Sequence, residues 1–262
     1  MRFSILASGS TGNSILVETD QTTLLFDAGL SGKQIETRLK EIEIDPRSID
    51  AIVVTHEHSD HIKGVGVLAR RYSLPVYTHE KTWVEMDRLI GEIPIEQKFS
   101  FDEGEVRSFA DLSVESFAIS HDAAFPMGFC IYEGDKKLTI ATDLGYVSQR
   151  IKETISGSNA YIFESNHDVE MLRMGRYPWN IKRRILSDVG HLSNEDAGEA
   201  LSDILEGQGE KVYLSHLSQD NNMTELARLT VKNILEESGF SVDKDVKLLS
   251  TSPIKPTPID EI

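Results

Sequence analysis

Cysteine is almost absent: Cys130 is the single thiol among 262 residues. One thiol rules out an intrachain disulfide, and its place in the apolar run GFCIYE reads as a buried, inert strand residue rather than a nucleophile. Long hydrophobic runs are missing too. No stretch reaches the roughly 18 apolar residues that span a bilayer, and the opening MRFSILASGSTGNS carries no signal-like apolar segment. The expectation is a cytoplasmic protein with no membrane partner. Positive charge is scarce, with 27 Lys and Arg against 43 Asp and Glu, a net −16. That balance argues against a surface that coats polyanions throughout and leaves room only for a local basic patch. No low-complexity linker or short repeat divides the chain. It reads as one domain over residues 1–252, followed by a short Pro-rich tail, 253–262, that is most simply disordered.

Short apolar strands with glycine turns, 3–7, 14–19 and 22–27, precede a helix over 31–42 with apolar spacing at Ile35, Leu39 and Ile42. A strand at 51–55, a helix at 62–72, a strand at 75–78 and a helix at 80–89 follow. Residues 97–141 are strand-rich, with a hairpin turn at EGDKK, 133–137. The second half alternates: helix 148–154, strand 159–163, helices within 168–187, helix 194–206, strand 211–215, helix 222–238 and strand 245–249. Mixed strands with helices between them point to layered sheets covered by helices.

Histidine is sparse, eight in the chain, yet VVTHEHSDHIKG crowds His56, His58, Asp60 and His61 onto the end of an apolar run. On an extended segment His56 and His58 face the same side. Asp60 and His61 arrive as the chain turns into a helix. Imidazole with carboxylate suits Zn²⁺, Mn²⁺ or Fe, and four such ligands fit two adjacent ions better than one. Three further candidates end apolar runs: His121 in ESFAISHDA, Asp143 in LTIATDLGY and His216 in KVYLSHLSQ. Ligands at strand ends are held by rigid elements; each taken alone also suits an ordinary turn.

Residues 171–187, MLRMGRYPWNIKRRILS, reverse the charge. Arg173, Arg176, Lys182, Arg183 and Arg184 occur there with no Asp or Glu, and Tyr177 and Trp179 lie between them. Cations suit phosphates, and aromatic rings stack on unpaired bases. The alternative is a solvated helix face with two buried aromatics. His167 in ESNHD is either a substrate contact or a helix-start residue. ASGSTGNS, 7–14, either presents backbone N–H groups to a phosphate or makes a tight turn, and no Walker lysine follows it. His79 in YTHEKT reads as structural, and Arg70 and Arg71 as solvent-facing.

LLFDAG (24–29), THEHSDH and YLSHLS (213–218) together resemble the metallo-β-lactamase superfamily over most of the chain. The resemblance implies an α/β (α+β) fold of four layers, an αββα sandwich with helices outside two sheets and a metal site along one edge. It implies that His56, His58 and His121 hold one divalent ion, that Asp60, His61 and His216 hold a second, and that Asp143 bridges them. Asp27 in FDAG matches an aspartate that orients the site; a turn residue before Gly29 is its plainer reading. SDVGHLSNEDAGEAL and KVYLSHLS resemble the tRNA-processing ribonuclease Z branch, and YIFESN resembles that branch's strand ending in glutamate. By that likeness Glu164 orients His191 and keeps it protonated, and His191 serves the leaving group. No long insertion separates Asp143 from Glu164, so the clamp domain of the larger nucleases is not expected. ASGSTGNS, THEHSDHIKG, SHDA, ATDLGY, ESNHD and GHLSN resemble more closely still the YycJ/WalJ proteins of Gram-positive bacteria, which are linked to 5′→3′ exonuclease activity.

The expectation is therefore a two-metal phosphodiesterase: a 5′→3′ exonuclease on single-stranded or nicked DNA, with DNA favoured over RNA, serving DNA repair or metabolism. One alternative is a hydrolase of a small phosphodiester or thioester, glyoxalase-II-like, with the same ions but no need of a basic rim. The other is a non-enzymatic adaptor that keeps its ions for folding.

Overall fold

In the computed structural model, which describes residues 1–262, contacts group the chain into two units. The first holds residues 1–118, 123–127 and 252–262, and the second holds 119–122 and 128–251.

The first unit is built on strands β1 (Arg2–Ala7), β2 (Ser14–Glu18), β3 (Thr23–Phe26), β4 (Ala51–Val53), β5 (Val76–Thr78) and β6 (Lys98–Ser100). It also holds the hairpin β7 (Val106–Phe109) and β8 (Leu112–Ala118), and its sheet is completed by β14 (Asp260–Glu261). The sheet order is β14-β1-β2-β3-β4-β5-β6. Neighbours are antiparallel as far as β3 and parallel from β3 to β6. Helices α1 (Gly32–Glu41), α2 (Ser59–Ile62), α3 (Val65–Tyr72) and α4 (Glu80–Ile90) belong to this unit. Ile35 and Leu39 of α1, Val65 and Leu68 of α3 and Met86 of α4 form one core with Leu16, Leu25, Ile52 and Val76 of the strands. Ser31 starts α1 through a reciprocal bond pattern with Gln34, which satisfies orphan donors at the helix end.

Two expectations differ here. The helix read at 62–72 begins at Ser59 and breaks after Ile62, because the chain passes too close to its neighbour to continue. The Gly64 N–H donates to the Ala28 carbonyl at 2.7 Å, and a Cβ on Gly64 would lie 2.5 Å from the Leu30 oxygen. The shift puts Asp60 and His61 on the first turn of α2. The tail at 253–262 is placed rather than disordered. Thr257 Oγ1 accepts the Ile5 N–H at 2.9 Å, Ser4 Oγ donates to the Thr257 carbonyl at 2.7 Å, and β14 pairs with β1. The tail satisfies backbone groups that β1 would otherwise expose as a sheet edge, a demand that composition does not report.

The second unit orders β9 (Met127–Glu133), β10 (Lys136–Ala141), β11 (Ala160–Glu164), β12 (Glu210–Ser215) and β13 (Val246–Ser250) as β13-β12-β11-β10-β9. Strand β9 is antiparallel to β10, and the remaining pairs are parallel. Every residue of β11 is buried, the mark of a parallel strand covered on both faces. The helices are α5 (Gln149–Ile155), α6 (Val169–Met174), α7 (Trp179–Ile185), α8 (Asn194–Ile204) and α9 (Thr224–Glu237). Ala227, Val231 and Leu235 form the buried stripe of α9 at four-residue spacing. Cys130 is buried on β9. No helix is long and apolar enough to cross a membrane.

Candidate metal centre

Parallel strands deliver functional side chains at their carboxyl ends. Asp27 follows β3 and His56 follows β4 in the first unit; Asp143 follows β10, Glu164 ends β11 and His216 follows β12 in the second. Asp27 (φ 57°), Asp143 (φ 62°) and His216 (φ 54°) are left-handed. A non-glycine residue held there costs about 1–3 kcal/mol, a cost that tends to collect at working sites.

In the first unit Asp27 is the hub. Its Oδ1 accepts the Thr55 N–H at 2.8 Å, and its Oδ2 accepts the Thr55 hydroxyl at 2.9 Å. The same Oδ2 lies 2.7 Å from His61 Nδ1. An imidazole that donates Nδ1–H to a carboxylate keeps its lone pair on Nε2. Asn13 Nδ2 reaches that Nε2 at 3.1 Å and Asp60 Oδ2 at 3.3 Å. The His56 ring centroid stands 4.6 Å from that of His58 and 4.1 Å from that of His61. Three imidazoles and the Asp60 carboxylate thus gather where β4 runs into α2. Gly29 permits this: a Cβ there would lie 1.6 Å from the Asp60 carbonyl oxygen.

In the second unit the hub is Glu164, which is fully buried. Its Oε1 accepts from His216 Nδ1 at 2.8 Å and from His191 Nδ1 at 2.9 Å. Its Oε2 accepts the backbone N–H of Leu144 at 2.8 Å and of Leu192 at 3.1 Å. Burial alone would push the carboxyl up. The charge and hydrogen bond of His191, with those of His216, outweigh it and hold Glu164 down at about 2. Asp143 Oδ1 stands 3.3 Å from His216 Nδ1 and 3.7 Å from His121 Nε2. His121 turns Nδ1 to the Gly190 carbonyl at 3.1 Å, which leaves its lone pair on Nε2. Burial pushes His121 below the usual imidazole value against the pull of Asp143, so it is neutral near pH 7. Ligand-capable atoms of Asp143, Glu164, His191 and His216 all lie within 4.8 Å of one another.

This donor set fits a divalent cation. Imidazole nitrogen and carboxylate oxygen together suit borderline and hard ions. His61, His121, His191 and His216 each commit Nδ1 to a carboxylate or carbonyl, the arrangement in which Nε2 becomes the ligand atom. Both oxygens of Glu164 are taken, by four donors in all.

The basic stretch divides in two. Lys182 is buried, and its ammonium donates to the Arg173 and Gly175 carbonyls, both at 2.7 Å. It closes the turn between α6 and α7 and is not open to substrate. His167 is 1% exposed, so it is not a surface contact either. Neither of its ring nitrogens has a hydrogen-bond partner, and burial lowers its pKa to about 4. Arg173 pairs with Glu170, Arg184 with Asp122, and the Tyr177 hydroxyl with Asp220. Arg176, Trp179 and Arg183 are exposed, with Trp179 and Arg183 one turn apart on α7.

Several residues escaped the sequence reading. Asn13 lies in ASGSTGNS, which reads as a phosphate cradle or a tight turn and gives no sign that Asn13 reaches His61 and Asp60, and Thr55 is overshadowed by His56. His216 is a candidate by its place at the end of an apolar run, but nothing local to it signals that Glu164 holds its ring. Asn166, Asn194 and Asn222 are buried; of these, only Asn166 carries a signal in the sequence, as a polar residue just after an apolar strand.

Comparison with known proteins adds four findings. The family profile described as the metallo-beta-lactamase superfamily matches residues 7–216. Exodeoxyribonuclease YycJ of Bacillus anthracis is 57% identical over 262 residues, covering 100% of this chain and 99% of the relative. Exodeoxyribonuclease WalJ of Streptococcus pneumoniae is 48% identical over 263 residues, covering 100% and 98%. Among solved structures, the metallo-beta-lactamase fold protein YhfI of Bacillus subtilis superposes with a TM-score of 0.72 at 13% identity, covering 98% of each chain. That likeness shows the fold: two sheets flanked by helices.

Proposed function

The chain belongs to the metallo-beta-lactamase superfamily and is a metal-dependent hydrolase, and from that premise we propose that it is a DNA exonuclease. In this reading it works 5′→3′ with two divalent ions, in the cytoplasm, in DNA repair or metabolism. The observation that carries the choice of substrate is end-to-end identity of 57% with a relative named an exodeoxyribonuclease.

The proposed ligands are His56, His58, Asp60 and His61 in the first unit and His121, Asp143 and His216 in the second. When bound, divalent ions lower the pKa of a water toward neutrality and offset charge on a phosphate oxygen. The chain's own groups do the rest. Asp27 fixes the tautomer of His61, as the Gly190 carbonyl does for His121 and Glu164 for His216. His191 is half-buried and, held at Nδ1 by Glu164, turns Nε2 to the leaving oxygen as the proton donor. Arg176 and Arg183 hold phosphates, and the exposed Trp179 ring stacks on an unpaired base.

The test is incubation of the pure protein with Mn²⁺ or Zn²⁺ and oligonucleotides labelled at either end, single- and double-stranded. Mononucleotides released progressively from the 5′ end support the reading. Release from the 3′ end overturns the polarity. Intact polymer alongside hydrolysis of a cyclic phosphodiester or a thioester overturns the substrate.

A further inference from the structure

Beneath Glu164 the second unit contains a buried amide network that no step above uses. Ser165, Asn166, Asn194 and Asn222 are each at most 6% exposed. Asn222 Nδ2 lies within hydrogen-bond reach of the Ser165 carbonyl at 2.9 Å, the Asn166 carbonyl at 3.0 Å and Asn194 Oδ1 at 2.9 Å. Asn194 Nδ2 returns the bond to Asn222 Oδ1 at 3.0 Å, and Ser165 Oγ donates to Asn194 Oδ1 at 2.6 Å. Asn166 Nδ2 donates to the His216 carbonyl at 2.8 Å. The backbone closes the same circuit: Asn166 N–H donates to the Leu192 carbonyl at 3.0 Å, and Ser218 N–H donates to the Asn166 carbonyl at 2.7 Å.

These bonds join three chain segments and no others. One follows Glu164 on β11, one follows His191 into α8, and one follows His216 out of β12. They are the segments that carry the orienting carboxylate and its two rings. Unpaired polar groups at this depth are costly, so a network of this kind is either fully satisfied or destabilising. His216 also sits in the left-handed region at φ 54°, and Asn166 Nδ2 bonds its carbonyl.

We propose that Asn166, Asn194 and Asn222 are positioning residues that set the aim of His191 and His216 from behind, without touching substrate. The proposal rests on the reading of those two rings as proton donor and metal ligand. In Asn166→Ala the His216 carbonyl loses its donor and the ring drifts from its line on Glu164. Groups that orient a working side chain typically cost about 10–100-fold in activity when removed.

The test pairs kinetics with the ring signals of the histidines, selectively labelled with ¹⁵N, in the full-length protein. Asn166→Ala is expected to lower kcat about 10–100-fold with KM within about twofold, and to shift or broaden the Nδ1–H resonances of His191 and His216 alone. Thr139→Val, which breaks the buried Thr139–Ser158 pair elsewhere in the same sheet, is the structural control; it lowers Tm but leaves kcat and those resonances unchanged. If Asn166→Ala does not fold, Asn222→Ser is read in the same way. Unchanged kcat and ring signals in a folded variant overturn the proposal, as does an equal response in the Thr139→Val control. The ring signals need no substrate. A wild-type protein that cuts no DNA would therefore overturn the exonuclease reading while the positioning claim stood or fell on the spectra.

Discussion

Replacing Glu164 with Gln leaves the shape of the second unit's hub intact and halves its capacity to accept. The carboxylate takes four hydrogen bonds, from His191, His216, Leu144 and Leu192. Glutamine keeps one oxygen and turns an NH2 group toward the other pair of donors. Facing the backbone, that NH2 strands two buried N–H groups. Facing the rings, it forces the proton of each from Nδ1 to Nε2, which takes from His216 the lone pair a metal needs and keeps His191 from carrying a proton on both nitrogens, as a donor at Nε2 must while Nδ1 faces Glu164. Either way two bonds to a charged acceptor are lost. Each is worth about 1.5–3 kcal/mol, so the gross loss is about 3–6 kcal/mol. Relief from burying a charge offsets part of it. A net loss of about 3 kcal/mol corresponds to a fall in Tm of roughly 6–12 °C for a chain near this size. The rate falls further, by about 10³-fold or more, because a wrong tautomer disables a ring rather than loosening it. Calorimetry reads the first effect and single-turnover hydrolysis the second. A Glu164→Gln protein that melts with the wild type and cuts within about threefold of its rate would refute the four-donor hub.

Other substitutions separate binding from packing. Trp179→Ala is expected to weaken single-stranded DNA by about 1–3 kcal/mol, the value of one stacked base, in a fluorescence anisotropy titration with Tm unchanged. Arg176→Ala with Arg183→Ala reduces the slope of log affinity against log salt by about 1 per charge if each meets a phosphate; an unchanged slope removes them from the substrate path. Lys182→Met behaves in the opposite way. It lowers stability by about 1–3 kcal/mol through two unpaired carbonyls, seen by urea melting, and leaves DNA affinity unchanged. His167 gives a pH signature. It stays neutral in the fold down to about 4, whereas the unfolded chain takes up its proton near the ordinary value of 6.5. Stability is therefore full above 6.5 and lost as pH falls from 6.5 through 4, by about 3 kcal/mol. His167→Leu should flatten the acid limb of Tm against pH; an identical limb contradicts the buried neutral ring.

The parts of the site visible in the sequence were those with local pattern. His56, His58, Asp60 and His61 stand out because spacing along a few residues is enough to show a shared direction. His121, Asp143 and His216 each close an apolar run, and the change from apolar to polar residues makes the end of such a run readable. Burial of Cys130 followed from its place within such a run. The partners of these groups were harder to find. The bond from His216 to Glu164 spans 52 residues of chain, and that from Asn13 to His61 spans 48, distances over which no pattern constrains a pair. Lys182 looked like a phosphate ligand because charge is read from composition, whereas its role is set by two carbonyls in a turn. The tail around Thr257 was misjudged for a similar reason: proline content describes the free chain, not the open edge of β1 that captures it. Strand and helix order is legible because parallel strands such as β11 are apolar up to their last residue, Glu164. The break between α2 and α3 was not, since it depends on how closely Gly64 approaches Leu30 in space.

The most direct test is to strip the protein with a chelator, reload it stepwise with Mn²⁺ or Zn²⁺, count bound metal by mass spectrometry, and measure nucleotide release from DNA on the same samples. The expected result is no release without metal, then release that rises with occupancy to a plateau near two ions per chain. Hydrolysis that persists in metal-free protein, or none at any occupancy, would contradict a metal-dependent nuclease.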